Sequence, residues 1–236
     1  MISQPSNTLL NALSPDCHNS LFPRLKFVVL PIKAVLYEAD ETPKYAHFLT
    51  SGMASIVSSM SNGATAEVGI CGREGMVETL QLLGNARIPT RCFMQVEGAG
   101  LRMPFKELQK EFFENAELRD AILRGVQCQS FILAQLAACN RLHEAEERLA
   151  RWLLMVRDRV ESAKFMLTQE FLATMLGSRR TTVTAAAGAL QKKGFIRYSR
   201  GRIEILEPQK LENAACECYP TVRNLYSNLQ IAVAAD

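Results

Sequence analysis

The side chains best suited to chemistry in this chain are donors of hydrogen bonds rather than a catalytic set. Arg179, Arg180, Thr181 and Thr184 stand at the start of a stretch in which Val183, Ala186, Ala187 and Leu190 recur at helical spacing, so the donors share the opposite face. An arginine fork matches phosphate oxygens and the O6 and N7 atoms of guanine, and threonine suits phosphates and base edges. An enzyme would instead need an acid, a base and a nucleophile brought together. The only histidines are His18, His47 and His143, and the chain has no HExxH, GxxxxGK[ST] or GxSxG pattern, so no enzymatic activity is expected. Cys216 and Cys218, with Tyr219, could form a redox or metal pair, but two cysteines without further ligands do not complete a tetrahedral zinc site. A structural role is expected for them, and no metal ligand is assigned.

The elements that must position these donors are legible on either side of them. Thr168 caps a helix with Glu170 in its first turn and Leu167, Leu172, Met175 and Leu176 as its apolar face. Ala173 is small where a second helix must cross, and Gly177 suits the left-handed residue of a tight turn. The second helix opens at Ser178 or Arg179 and ends at Lys192, Lys193 and Gly194. Phe195 to Ser199 and Arg202 to Leu206 then read as two strands joined by a turn at Arg200 and Gly201. A helix-turn-helix followed by a basic hairpin is a winged DNA-binding module. In it Arg180 falls where it meets base edges with Thr181 and Thr184 beside it, while Thr168, Ser178, Arg179, Arg200 and Arg202 suit phosphates. Residues 161 to 206 carry eight Lys and Arg against three Glu, a net +5 within a chain of net +3. A basic segment on a near-neutral body points to double-stranded DNA as partner.

The rest of the 236 residues has the composition of a soluble globular protein with room for two domains. Seven cysteines, odd in number and scattered, suit a reducing compartment and buried apolar roles. With no signal-peptide pattern and no apolar run expected to span a bilayer, a cytoplasmic protein without membrane partners is expected. Met1 to Pro23 is polar, with Leu9, Leu10 and Leu13 suited to one short helix. Alternating segments at 26–30, 34–37, 45–50, 54–59, 64–70, 92–96 and 100–103 predict a small sandwich or barrel. Within it Met76, Val77, Leu80 and Leu83 suggest a short helix over Gly72 to Leu83. After a helix over Pro104 to Phe113, a long one begins at Ala116. Its Ile122, Val126, Gln129, Leu133, Leu136 and Asn140 follow the seam of a two-stranded coiled coil, and Leu123, Phe131 and Ile132 are free to pack back onto the barrel. Asn140 to His143 reads as a hinge, Glu144 to Val160 as a helix, and Glu207 to Asp236 as a polar tail with short helices, notably Leu211 to Cys216.

A β-roll, a long helix, a hinge and a winged helix-turn-helix in this order resemble the Crp/Fnr family of bacterial transcription regulators over nearly the whole chain. The resemblance is strongest in Glu146-Glu147-Arg148-Leu149-Ala150-Arg151-Trp152-Leu153-Leu154, Leu167-Thr168-Gln169-Glu170-Phe171-Leu172-Ala173 and Gly177-Ser178-Arg179-Arg180-Thr181-Thr182-Val183. In the N-terminal half Phe48-Leu49-Thr50-Ser51-Gly52 resembles the family's early strand and turn. It implies an α+β chain with a β-roll sensor over 1–115, a dimerisation helix and hinge over 116–141, and a DNA-binding domain over 142–236. It also implies a homodimer on a palindrome, RNA polymerase as a further partner, and a guanine contact for Arg180. The family's cyclic-nucleotide members use a Gly-Glu pair and an Arg followed by Ser or Thr. Here Gly75 is followed by Met76, Arg87 by Ile88, and Leu133 and Ala134 stand where a hydroxyl pair would face adenine, so cyclic AMP is not expected to bind. An iron–sulfur branch needs clustered N-terminal cysteines, of which only Cys17 is present, and His47 or Cys71 would be the axial ligand of a haem. The effector stays unassigned, and a cyclic-nucleotide or haem sensor acting mainly through a protein partner is the alternative reading.

Overall fold

The computed structural model describes residues 6–84 and 87–234, with residues 228–234 by backbone alone. It divides into two compact units, one within Met1–Ser58, Val68–Phe131 and Leu225–Asp236, the other within Ser59–Glu67 and Ile132–Asn224.

The first unit begins with two short helices, α1 (Thr8–Asn11) and α2 (Pro15–Leu21), in place of the one expected. Asn7 caps α1 by accepting from the Leu10 N–H at 3.1 Å, and Ser14 caps α2 through the Cys17 N–H. An antiparallel sheet follows: β1 (Lys26–Leu30), β2 (Val35–Tyr37), β3 (Tyr45–Ser59), β4 (Thr65–Cys71) and β5 (Thr90–Pro104), in the order β1-β5-β3-β4 with β2 also on β5. Segments expected as separate strands are continuous in β3 and again in β5, because the glycines between them bend the strands instead of ending them. Gly52 has φ +76°, and a Cβ on Gly98 would lie 2.2 Å from the Ser51 carbonyl oxygen. The two backbones therefore meet where the register shifts. Alternation sends Phe48 to a core with Leu10, Met103 and Phe112, and Leu49 to one with Leu36, Cys92 and Met94.

The helix expected over Gly72 to Leu83 is absent. The segment consists of turns and a single 3-10 turn at Leu80–Leu82, because Met76 bridges Phe48 and the Val77 N–H donates to the His47 carbonyl at 3.1 Å, pinning the chain to β3. Helix α3 (Phe105–Glu114) leads through Asn115, whose side chain accepts from the Leu118 N–H at 3.0 Å, into α4 (Ala116–Leu142). Over an 18-residue window (mean hydropathy 1.2) α4 is long and apolar enough to cross a membrane by length and composition alone, a test that the core helix of a soluble protein also passes. Of the expected seam, Val126, Gln129, Leu133 and Leu136 are half-buried and Asn140 is exposed. Ile122 is fully buried among Leu118, Phe112 and Leu108, whereas Leu123 and Phe131, expected to pack inward, are 40% and 55% exposed. A broad apolar stripe reveals its width in sequence but not which edge the chain's own core takes.

In the second unit α5 (Ala145–Val160) opens on a reciprocal cap between Glu144 and Glu147 and buries Leu149, Trp152, Leu153 and Val156. Then come β6 (Lys164–Met166), α6 (Gln169–Met175), α7 (Arg180–Lys192), β7 (Ile196–Ser199), β8 (Arg202–Ile205), α8 (Pro208–Ala214) and α9 (Cys218–Ala234). The wing has three strands rather than two, in the order β6-β8-β7. Nor is the C-terminal segment a polar tail. Helix α9 has 17 residues, and its buried Tyr219 donates through its hydroxyl to Asp158 Oδ2 at 2.8 Å.

Candidate nucleic-acid interface

The scaffold of the interface is set by α6, α7 and the turn between them. Thr168 Oγ1 accepts from the Phe171 N–H at 3.2 Å, and Gly177 takes φ +54°, a conformation that its lack of a Cβ permits. The Ser178 N–H closes the turn on the Ala173 carbonyl at 3.0 Å. Val183, Ala186, Ala187 and Leu190 are all buried, so Arg179, Arg180, Thr181 and Thr184 are exposed on the remaining face of α7. Thr184 Oγ1 donates to the Arg180 carbonyl at 2.9 Å, which spends its proton and leaves a methyl group and acceptor lone pairs. Ser178 likewise donates to the Leu176 carbonyl at 3.1 Å.

The wing turn has Arg200 at φ +49° and Gly201 at φ +76° between the paired Ser199 and Arg202, the two left-handed residues that a tight hairpin with native strand twist requires. Arg200 and Arg202 are exposed. Lys164 and Arg197 both reach Glu204, at 3.2 and 2.7 Å, and hold its carboxyl below the usual carboxylate range. Among the described residues no carboxylate pairs with Arg179, Arg180, Arg200 or Arg202.

Three supporting residues were not found by sequence reasoning. Arg148 on α5 donates to the Leu176 carbonyl, fixing the end of α6 just before the turn. The Tyr198 hydroxyl donates to the Leu167 carbonyl at 2.9 Å, and Gln191 Oε1 accepts from the Tyr198 N–H at 2.7 Å, tying the wing to α7 and to the connection that enters α6. Only Arg148 carried a signal, since it lies within the Glu146–Leu154 stretch of the resemblance.

Of the residues proposed for an effector pocket, Gly75 and Met76 share a small cavity whose lining does not include Arg87. Met76 is buried against Phe48, the Gly75 carbonyl accepts from Asn7 Nδ2 at 2.9 Å, and Arg87 is exposed. Gly75 and Met76 line a cavity of about 50 Å³ with Leu9, Ile56, Thr79 and Gln129. A site for a drug-sized ligand occupies about 300–1,000 Å³. His47, the candidate haem ligand, has Nδ1 2.6 Å from Glu78 Oε1 and donates its N–H to Glu78 Oε2 at 2.8 Å. Burial pushes the Glu78 carboxyl up, against the pull of these bonds.

The expectation that Cys216 and Cys218 lack further ligands is corrected by the fold. Cys139 and His143 join them, and the four ligand atoms all lie within 4.8 Å of one another. The hydrogen bond with Cys216 holds the Cys139 thiol below its usual range, with the Arg151 charge acting in the same direction, while that bond and burial push Cys216 up.

Residues 147–214 match the model of the Crp-like helix-turn-helix domain. Sequence comparison with curated proteins finds no significant match. Among solved structures, a putative Crp/Fnr-family regulator from Eubacterium rectale superposes with TM-score 0.69 at 16% identity, covering 87% of this chain and 96% of its own. The c-di-GMP responsive regulator CLP of Xanthomonas campestris gives 0.67 at 13% identity over 81% and 99%. FixK2 of Bradyrhizobium japonicum gives 0.62 at 15% identity over 81% and 98%. Residues 147–214 thus belong to the Crp-like helix-turn-helix family, and the chain has the fold of Crp/Fnr transcriptional regulators: a β-roll, a long helix and a winged helix-turn-helix.

Proposed function

We propose that this chain is a sequence-specific DNA-binding transcriptional regulator that acts as a homodimer. The observation that carries the reading is the set of four exposed arginines, Arg179 and Arg180 at the start of α7 and Arg200 and Arg202 at the wing turn, with no carboxylate partner among the described residues. Arg180, with Thr181 and Thr184, reads base edges; Thr168, Ser178, Arg179, Arg200 and Arg202 hold phosphates. Selection of bound sites from a random DNA pool at two salt concentrations tests it. A pseudo-palindrome with half-sites about one helical turn apart, bound with strong salt dependence, is expected. Recovery of no common sequence would refute sequence-specific reading.

The dimer surface follows the α4 seam of Ile122, Val126, Gln129, Leu133, Leu136 and Asn140, in which Val126, Gln129, Leu133 and Leu136 are half-buried and Asn140 is exposed, while Ile122 also packs into the chain's own core. Water against this stripe is costly, and a second copy of the helix covers it. Leu133→Lys should give monomers in sedimentation that lose operator binding, whereas a dimer unchanged by it would move the interface elsewhere. The domains follow as a roll over 1–115, the interface helix and hinge over 116–141, and the DNA-binding domain over 142–236, with RNA polymerase as the partner through which a bound regulator acts. Cyclic AMP does not fit this reading, because the Gly75 and Met76 cavity is small and Arg87 lies outside its lining. Calorimetry should show no saturable heat at micromolar ligand.

A further inference from the structure

We propose that Cys139, His143, Cys216 and Cys218 form a structural zinc site that fastens the end of α4 to the connection between α8 and α9 within the second unit. The ligands come from two places. His143 follows Cys139 by four residues, and its N–H still donates to the Cys139 carbonyl at 3.1 Å, so the helical path puts both side chains on one face. Cys216 and Cys218 approach from the turn that opens α9, and the three cysteines are buried.

The distances suit a single tetrahedral ion. With Zn–S of about 2.3 Å and Zn–N of about 2.0 Å, a regular tetrahedron sets sulfurs about 3.8 Å apart and sulfur about 3.5 Å from nitrogen. Cys139 Sγ lies 3.5 Å from Cys216 Sγ, and Cys218 Sγ 3.6 Å from His143 Nδ1. An iron–sulfur cluster would spread the sulfurs wider, around its own sulfide core. Three cysteines and a histidine also fill all four positions of a closed, non-catalytic zinc site.

The surroundings complete such a site. His143 Nε2 lies 3.1 Å from Glu217 Oε1, so a proton held on Nε2 leaves the Nδ1 lone pair facing the sulfurs. A carboxylate behind a ligating histidine is the usual way its tautomer and orientation are fixed. Gln135 Nε2 donates to Cys218 Sγ at 3.1 Å, a bond that a thiolate accepts better than a thiol. Charge agrees as well. Arg151 on α5 is buried, its Nη1 meets only Met155 Sδ, its Nε has no partner, and no carboxylate among the described residues pairs with it. Three thiolates around Zn²⁺ leave one net negative charge, which offsets this buried cation.

The test uses the full chain, purified under reducing conditions, reconstituted with zinc, desalted and analysed for metal. About one zinc per chain is expected, falling to about none in Cys139→Ser and Cys218→Ser and unchanged in Cys17→Ser, whose cysteine lies in the first unit. Cobalt(II) in place of zinc should give tetrahedral d–d bands with thiolate-to-metal charge transfer, and His143→Cys should keep the metal while shifting the bands toward four-sulfur coordination. The proposal is overturned by wild-type protein that retains no metal, by iron with acid-labile sulfide in place of zinc, by full zinc content in Cys139→Ser, or by a Cys139–Cys216 disulfide in the reduced preparation. Metal content is read without DNA, so its outcome is independent of operator binding.

Discussion

The face of α7 and the wing treats polar groups in one way, and the segment around Gly75 in the roll treats them in another. On the first, Arg179, Arg180, Arg200 and Arg202 stand exposed, with no carboxylate partner among the described residues, at little cost in water until a polyanion arrives. On the second, the chain consumes its own groups. Asn7 Nδ2 donates to the carbonyls of Leu49 and Gly75 at 2.8 and 2.9 Å, His47 gives both its N–H and its Nδ1 to Glu78, and the Val77 N–H takes the His47 carbonyl. Buried polar groups must find partners, and these have found them within the protein. One region leaves its polar groups open to solvent, while the other is closed around itself.

The largest expected effect tests that closure. Glu78→Leu leaves the His47 N–H and Nδ1 unpaired in a site fully shielded from water and should lower stability by about 3–5 kcal/mol, read as a shift of the urea midpoint. Glu78→Gln keeps an acceptor for the His47 N–H and should lose less. A loss below about 1 kcal/mol in Glu78→Leu would mean that the segment is held by apolar packing alone, and the contrast between the two regions would weaken.

The open face predicts a smaller and more selective effect. Arg180→Ala should cost about 1–3 kcal/mol of affinity and relax the preference at one base pair per half-site, while Arg200→Ala should weaken all sequences alike and reduce the salt slope by about 1. Thr184 offers a methyl and acceptors but no free proton, so thymine methyls and the amino groups of adenine or cytosine are its matches. Binding-site selection with each variant distinguishes the roles. If Arg200→Ala changed the preferred sequence and Arg180→Ala did not, reading would belong to the wing.

What could be read from sequence follows the range of the interactions. Helix α7 was legible to its individual buried residues, Val183, Ala186, Ala187 and Leu190, because an amphipathic helix and the capped turn before it are specified within a few residues. The third wing strand was not, since Lys164–Met166 is three residues long and becomes a strand only by pairing with Arg202–Glu204. Gly52 and Gly98 read as turns because glycine marks sharp bends, and only the pairing across β3 and β5 makes them bulges. Cys139 and Cys216, 77 positions apart, meet only in the fold, so spacing rules for metal ligands could not unite them. Ile122 and Leu123 share one broad apolar stripe, and which turns inward depends on Phe112 and Leu108 of α3.

The smallest expected effect concerns a place where the closed region falls short of closure. The pairing of β3 with β5 runs Met53 to Val96 and then Ala54 to Met94, so Gln95 is the extra residue of a bulge. The bulge turns its side chain inward, where it is 3% exposed and neither Nε2 nor Oε1 has a hydrogen-bond partner. An amide buried in this way is a net cost if the roll works as a closed scaffold, and it is a recognition group if water or a small ligand enters to meet it. Gln95→Met keeps length and approximate volume while removing both polar atoms, so the closed scaffold predicts a gain of about 1 kcal/mol in stability and unchanged operator affinity. A loss of stability in Gln95→Met would show that the amide is satisfied in the working protein. In that event the search for an effector belongs at the β5 bulge, away from Gly75 and Met76.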